Sequence, residues 1–189
     1  MINVLLTGIF GKMGGNLFDL LKNDEKAKVV CGVDIKAGDM QGVPVYASFA
    51  DVKEKVDVII DFSSPAVLKD ELAYATKNSV ALVLGSTGLT AEDIAACDNA
   101  ATKTAVFRTG NFSLGINLLV KLVNEAATFL GEKFDIEIIE KHHNLKKDAP
   151  SGTALMLAES ANAAFNGEKP YVKGRDGIVG ARGNEIGIH

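Results

Sequence analysis

The densest chemistry in this sequence lies in one segment: Glu140-Lys141-His142-His143-Asn144-Leu145-Lys146-Lys147-Asp148-Ala149-Pro150-Ser151-Gly152-Thr153-Ala154. Five of the seven residues from 141 to 147 can carry positive charge, and two of the three histidines in the chain are adjacent here. Pro150, Ser151, Gly152 and Thr153 then open a helix. A helix start leaves N–H groups without intrahelical partners, and its dipole favours an anion. A cationic loop beside such a start suits a small substrate with more than one carboxylate, and a histidine and a lysine are at hand to move protons. The same residues also fit a solvated charged loop. A histidine pair can bind metal, but no cysteine or acidic triad completes a site, so no metal is expected. No aromatic platform accompanies the basic run, as a nucleic-acid site would require.

A second signal is the turn Thr7-Gly8-Ile9-Phe10-Gly11-Lys12-Met13-Gly14. Its GxxGxxG spacing follows a β-rich run and opens a helix. Glycines there permit a tight turn, a close approach of backbone to a pyrophosphate, and close packing of helix on strand. Asp34 closes the second strand, where a carboxylate meets the adenosine ribose hydroxyls. A carboxylate at that place repels a 2′-phosphate and Ile35 adds no charge, which favours NADH. Lys36 leaves NADPH open. The alternatives are a structural turn of another α/β fold and a solvated strand-end acid.

Three later strand ends carry small and polar residues: Asp61 to Pro65, Gly85 to Gly88, and Gly110 to Ser113. Ligands of doubly wound sheets bind at the carboxyl ends of the strands, so these segments can line a path for ribose and nicotinamide. Ser63 or Ser64 before Pro65, and Thr90 before Ala91-Glu92-Asp93, read equally well as helix caps.

The elements that must position these residues follow from periodicity. Apolar runs at 2–7, 28–34, 56–61, 81–84 and 105–107 alternate with helical spacing at 12–21, 65–77 and 91–101. Strands apolar on both faces between helices predict an α/β, Rossmann-type doubly wound parallel sheet over residues 1–110. The pattern then changes. A long amphipathic helix at 114–130, a one-sided strand at 134–140 and a helix at about 151–165 predict an α+β substrate-binding or oligomerisation domain over 111–189. A glycine-rich tail begins at Asn166, with a short apolar turn at 185–189. Few elements remain to cover this sheet, so the domain reads as incomplete, and an open edge at 134–140 is an association hazard.

Composition narrows the classes. The net charge of −4 argues against a general nucleic-acid binder. No segment reads as approaching the ~20 apolar residues of a membrane span. Met1-Ile2-Asn3 has no basic leader region, so a cytoplasmic protein is expected. Cys31 and Cys97 form no CxxC and read as small buried hydrophobes.

Taken in order, the GxxGxxG turn with Lys12-Met13-Gly14, the DFSSP segment at 61–65, GSTG at 85–88, NFSLGIN at 111–117 and the EKHHNLKKDAPSGTA run resemble the dihydrodipicolinate reductase family along the whole chain. The last run is highly specific. The resemblance implies reduction of 4-hydroxy-tetrahydrodipicolinate, a small cyclic dicarboxylate, to tetrahydrodipicolinate in lysine and diaminopimelate biosynthesis. A nicotinamide hydride goes to ring C4 with loss of water. By position, His142 is implied as the acid/base residue and Lys146 as the proton donor. His143, Lys146, Gly152 and Thr153 are implied to hold the substrate carboxylates. Gly8, Ile9, Phe10, Gly11, Lys12, Met13, Asp34, Gly85, Ser86, Thr87, Thr109, Gly110, Asn111 and Phe112 are implied to contact NADH or NADPH. A homotetramer formed through the second domain is also implied.

The sequence departs from the family at Ile35, where members that accept NADP often carry arginine, and at Ser86, commonly threonine. The family also continues well beyond His189. The chain is therefore expected to be a truncated form, with a nucleotide-binding fragment without turnover as the alternative.

Overall fold

The computed structural model describes residues 1–146 and 149–189; Lys147 and Asp148, two members of the cationic loop, lie outside the described residues. The chain divides into two compact units, Met1–Gly110 and Asn111–His189.

In the first unit β1 (Ile2–Thr7) is the keel. Its residues alternate between two apolar layers. Val4 and Leu6 join Ile9, Phe18, Val29 and Val45 on one face. Leu5 joins Ile59, Leu68, Leu72 and Leu82 on the other. Burial of each such side chain is worth about 1.5–3 kcal/mol. Helix α1 (Lys12–Leu21) contributes Phe18 to the first layer; α2 (Leu68–Asn78) and α3 (Ala91–Ala101) contribute Leu72 and Cys97 to the second.

The strands are β2 (Ala27–Val33), β3 (Gly38–Met40), β4 (Val43–Tyr46), β5 (Val58–Asp61), β6 (Ala81–Leu84) and β7 (Val106–Arg108), in the order β3-β4-β2-β1-β5-β6-β7. All pairs are parallel except β3 with β4. The order reverses at β1, which lies between β2 and β5, and this is where doubly wound sheets bind ligands. The β3–β4 hairpin was not expected. It turns at Gln41 and Gly42, both at positive φ (53° and 90°), and Asp39 accepts the Gly42 N–H at 2.8 Å. The helix expected from Pro65 opens as a 3-10 turn, Pro65–Val67, in which the Ser64 hydroxyl accepts the Ala66 N–H. Thr90 and Asp93 form a reciprocal cap at the start of α3.

In the second unit α4 (Leu114–Leu130) begins at the Ser113 cap and stops at Gly131, where φ is +61°. It packs on α5 (Gly152–Ala163) through side-chain to backbone bonds: Asn124 Nδ2 donates to Ser160 O at 2.8 Å, and Ser160 Oγ donates to Val120 O at 2.6 Å. Ala127, Ala154, Ala158 and Ala161 are buried with Ile186 and Ile188 in one cluster.

The sheet beneath is all parallel, in the order β8 (Ile136–Ile138), β10 (Ile186–Ile188), β9 (Tyr171–Lys173). Two expectations change here. The strand at 134–140 is shorter, and the apolar turn at 185–189, which the family resemblance implies to be the start of a further strand, forms the central strand, with Ile186 and Ile188 both buried on the helix side. Across β10 lies an ionic cluster: Glu137 accepts from Arg175 at 3.1 Å, from Arg182 at 2.5 Å, and contacts His189 Nε2 at 2.7 Å. Gly187 makes room for it, since a Cβ there would meet the Glu137 carboxyl carbon at 2.7 Å.

The expectation of no segment near span length also needs correction. From Leu114 to Lys133 one helical stretch of 20 residues is long and apolar enough, by length and composition alone, to cross a membrane. Lys121 and Glu125 interrupt the apolar run in sequence, yet they face each other one turn apart at 3.9 Å.

Candidate active site

The end of β1 and the start of α1 build the first half of the chemistry. Gly8 has φ +70°, and a Cβ on it would lie 2.7 Å from Ser63 Cβ. Gly14 is packed more tightly still: a Cβ there would lie 2.6 Å from Ile9 Cα and closer to the Gly8 carbonyl oxygen. Gly11 precedes α1 and supplies no side-chain cap, so the first-turn N–H groups of the helix are left for a ligand. This is a cradle that side chains would fill, beside the positive end of a helix. A pyrophosphate fits such a cradle.

Asp34, at the end of β2, accepts the Phe10 N–H at 2.8 Å and the Ile35 N–H at 2.7 Å. The carboxylate is thereby held against the glycine turn. Gly8, Gly11, Lys12, Met13 and Asp34 line one cavity of about 590 Å³ together with Phe62, Ser63 and Ser64.

Other residues named from sequence lie elsewhere. Ile9 is fully buried, main chain included, with its side chain against Gly32, and it does not line the cavity. Phe10 is half exposed and its ring covers Gly38. Gly85, Ser86 and Thr87 follow β6 and do not line the cavity. The Ser86 hydroxyl is turned inward to Asp61 Oδ2 at 2.7 Å, while Thr87 is exposed. Thr109 and Gly110 follow β7, and the Thr109 N–H donates to Leu84 O at 3.2 Å. Sequence reasoning missed Ser48, Phe49, Val67 and Asp70, which also line the cavity. The Val43-Pro44-Val45-Tyr46 run that leads into Ser48 was the signal for Ser48 and Phe49, whereas Val67 and Asp70 follow Pro65 in the expected helix.

The second half lies wholly in the other unit. Glu140 Oε1 accepts the Ser151 N–H at 2.7 Å, and Ser151 Oγ in turn accepts the Ala154 N–H at 3.1 Å. The loop is thus tied to the start of α5. The Ser151 hydroxyl, helped by the Ser151 N–H, His142 and Lys146, holds the Glu140 carboxyl below the usual carboxylate range. The other Glu140 oxygen stands 3.4 Å from His142 Nδ1. His143 Nδ1 accepts the Leu145 N–H at 3.1 Å, and the Lys146 N–H donates to His143 O at 3.2 Å. His142, His143 and Gly152 are exposed, and Lys146 and Thr153 are half buried. Asn111 Nδ2 donates to Thr153 Oγ1 at 3.1 Å, and neighbouring Phe112 is exposed. Glu140 had no role in the sequence reading, although its place at the head of the run was the signal.

Comparison with known proteins shows the family. Residues 2–112 match the family model for the dihydrodipicolinate reductase N-terminus, and residues 115–189 match that for its C-terminus. The chain belongs to the dihydrodipicolinate reductase family. A 4-hydroxy-tetrahydrodipicolinate reductase of Caldanaerobacter subterraneus subsp. tengcongensis is 44% identical, over the whole of this chain and 75% of the relative. One from Clostridium perfringens is 38% identical with the same coverage. The dipicolinate-bound dihydrodipicolinate reductase of Paenisporosarcina sp. TG-14 superimposes with a TM-score of 0.77 at 30% identity, covering all of this chain and 77% of that one. Dihydrodipicolinate reductases are pyridine-nucleotide-dependent oxidoreductases.

Proposed function

We propose that this chain reduces 4-hydroxy-tetrahydrodipicolinate to tetrahydrodipicolinate, with residues 1–110 holding NADH and residues 111–189 holding the substrate. The observation that carries this reading is the anchoring of the His142–Lys146 loop to the start of α5 by Glu140. It brings cationic side chains beside the N–H groups at the start of α5.

The bound nucleotide supplies the hydride for ring C4. The chain's own residues do the rest. The N–H groups of the first turn of α1 receive the pyrophosphate, and the missing side chains of Gly8 and Gly14 let it approach. Asp34 receives the ribose hydroxyls. Its charge and the uncharged, exposed Ile35 favour NADH over NADPH. Ile9 supports the turn from beneath and Phe10 flanks it, and Gly85 to Thr87 and Thr109 to Phe112 border the nicotinamide end. His143, Lys146, the Gly152 N–H and the Thr153 hydroxyl hold the two carboxylates. Lys146 gives the proton, and His142, oriented by Glu140, serves as acid and base. The open edges of β8 and β9 support self-association through residues 111–189, which sedimentation velocity tests.

The assay is NADH consumption in the presence of 4-hydroxy-tetrahydrodipicolinate, followed at the nicotinamide absorbance. Turnover that falls in His142→Gln and Lys146→Ala while NADH affinity holds supports the reading. NADH binding without consumption refutes the reductase reading for this chain and leaves a nucleotide-binding unit. Equal or tighter binding of NADPH refutes the role given to Asp34.

A further inference from the structure

Four polar residues are buried at the carboxyl ends of three neighbouring strands: Thr7, Asp61, Glu71 and Ser86, none more than 6% exposed. Thr7 of β1 lies in register with Asp61 of β5, and Asp61 with Leu84 of β6, two residues before Ser86. Asp61 accepts three hydrogen bonds: from Ser63 N at 2.6 Å, Ser63 Oγ at 2.5 Å and Ser86 Oγ at 2.7 Å. Glu71 rises from α2 beneath the sheet and accepts one, from the Thr7 hydroxyl at 2.7 Å. Its other oxygen has no partner among the described residues. Two buried carboxylates side by side cannot both ionise cheaply.

We propose that Glu71 is a positioning residue for the nucleotide cavity: kept neutral beside ionised Asp61, it fixes Thr7 and the strand ends around Gly8, and losing its proton loosens them and weakens nucleotide binding. Thr7 is the residue before Gly8, and Ser63 is the side chain against which Gly8 packs. Both line the cavity, whereas Asp61 and Glu71 do not. With both carboxylates charged no proton is left between them, and their repulsion must displace one of the two, Glu71 from Thr7 or Asp61 from Ser63 and Ser86. Burial, and then the charge of Asp61, push the Glu71 carboxyl up to about 8, with the Thr7 hydroxyl acting the other way. Among the described residues Cys97 of α3 also shares a field with Glu71, and its thiol is itself raised by burial.

This inference rests on the nucleotide site proposed above. The test is NADH affinity by calorimetry for the wild-type chain, Glu71→Gln and Glu71→Met across the neutral to alkaline range. If only the protonated form binds, wild-type affinity falls about tenfold from about pH 6.5 to about pH 9, following the protonated fraction. Glu71→Gln, which cannot ionise and keeps an acceptor for Thr7, binds with no such loss. Glu71→Met also loses the alkaline fall but binds more weakly throughout, because Thr7 is released. A flat wild-type profile, or an equal alkaline fall in wild type and Glu71→Gln, overturns the inference and leaves the site standing. Absence of NADH binding to the wild type at every pH overturns the site itself, and the inference with it.

Discussion

The side-chain amide of Asn111 donates a hydrogen bond to the hydroxyl of Thr153 at 3.1 Å. Asn111 is itself fixed, since its Oδ1 accepts the Ser113 N–H at 2.8 Å and its carbonyl accepts Asn117 Nδ2 at 3.0 Å. A hydroxyl that accepts from an amide turns its own hydrogen elsewhere. Thr153 is thereby prepared to donate to an anion at the start of α5. Thr153→Val should therefore raise KM for the dicarboxylate about tenfold or more, the worth of a hydrogen bond to a charged group, with a much smaller change in kcat. Thr153→Ser should restore most of it. Steady-state kinetics with saturating NADH decide the point.

Asp34 joins the glycine turn to the end of β2 through the Phe10 N–H. Asp34→Ala removes both this brace and the ribose acceptor. NADH affinity is expected to fall about tenfold to a hundredfold, the range for hydrogen bonds to a charged group, while NADPH falls less or improves. Titrations with both coenzymes measure the ratio, and an unchanged ratio would count against the assignment.

Gly14 and Gly15 are adjacent on α1 but face different surroundings. A methyl on Gly14 meets the backbone of Gly8 and Ile9, whereas nothing lies within 4 Å of one on Gly15. Gly14→Ala should destabilise the first unit by about 1–3 kcal/mol through overpacking. Gly15→Ala should stabilise it by up to about 1 kcal/mol through helix propensity. Denaturant melts followed by circular dichroism distinguish the two.

Glu71 also sets how stability responds to pH. Its carboxyl lies at about 8 in the folded chain against an ordinary value of 4.5. Below the lower value it is neutral folded or unfolded. Between the two only the unfolded chain ionises, so stability is lost as pH rises through this window and levels off above it. Relative to Glu71→Gln, the wild type should lose about 1.4 kcal/mol per pH unit there. Urea midpoints over that range measure it.

The first unit was largely legible because strands buried on both faces are written as unbroken apolar runs, as in Val4-Leu5-Leu6 and Val58-Ile59-Ile60. The β3–β4 hairpin was not, because only Val45 is fully buried and the pairing depends on a turn with positive φ at a glutamine. The glycine cradle and the His142–Lys146 loop were legible by spacing. The inward turn of Ser86 was hidden, since a serine after a strand reads alike whether it faces ligand or a buried carboxylate. Glu71 had a visible signal. It occupies the apolar stripe of α2 with Leu68, Leu72 and Ala75, where a charged residue needs an explanation.

Strand β10 has a consequence for the order of assembly. In the first sheet each parallel strand from β1 onward finds a neighbour within the first 110 residues. In the second, β8 and β9 are separated by the width of β10 and touch each other nowhere in the sheet. A ribosome delivers β8 and then β9 as two strands with no seat, and α4 and α5 can pair over an empty floor. Only when Ile186 to Ile188 arrive does the gap between them close. The loop after β8 thus lacks its full support until β10 is made, and any pause before residue 186 leaves β8 and β9 without the strand that joins them.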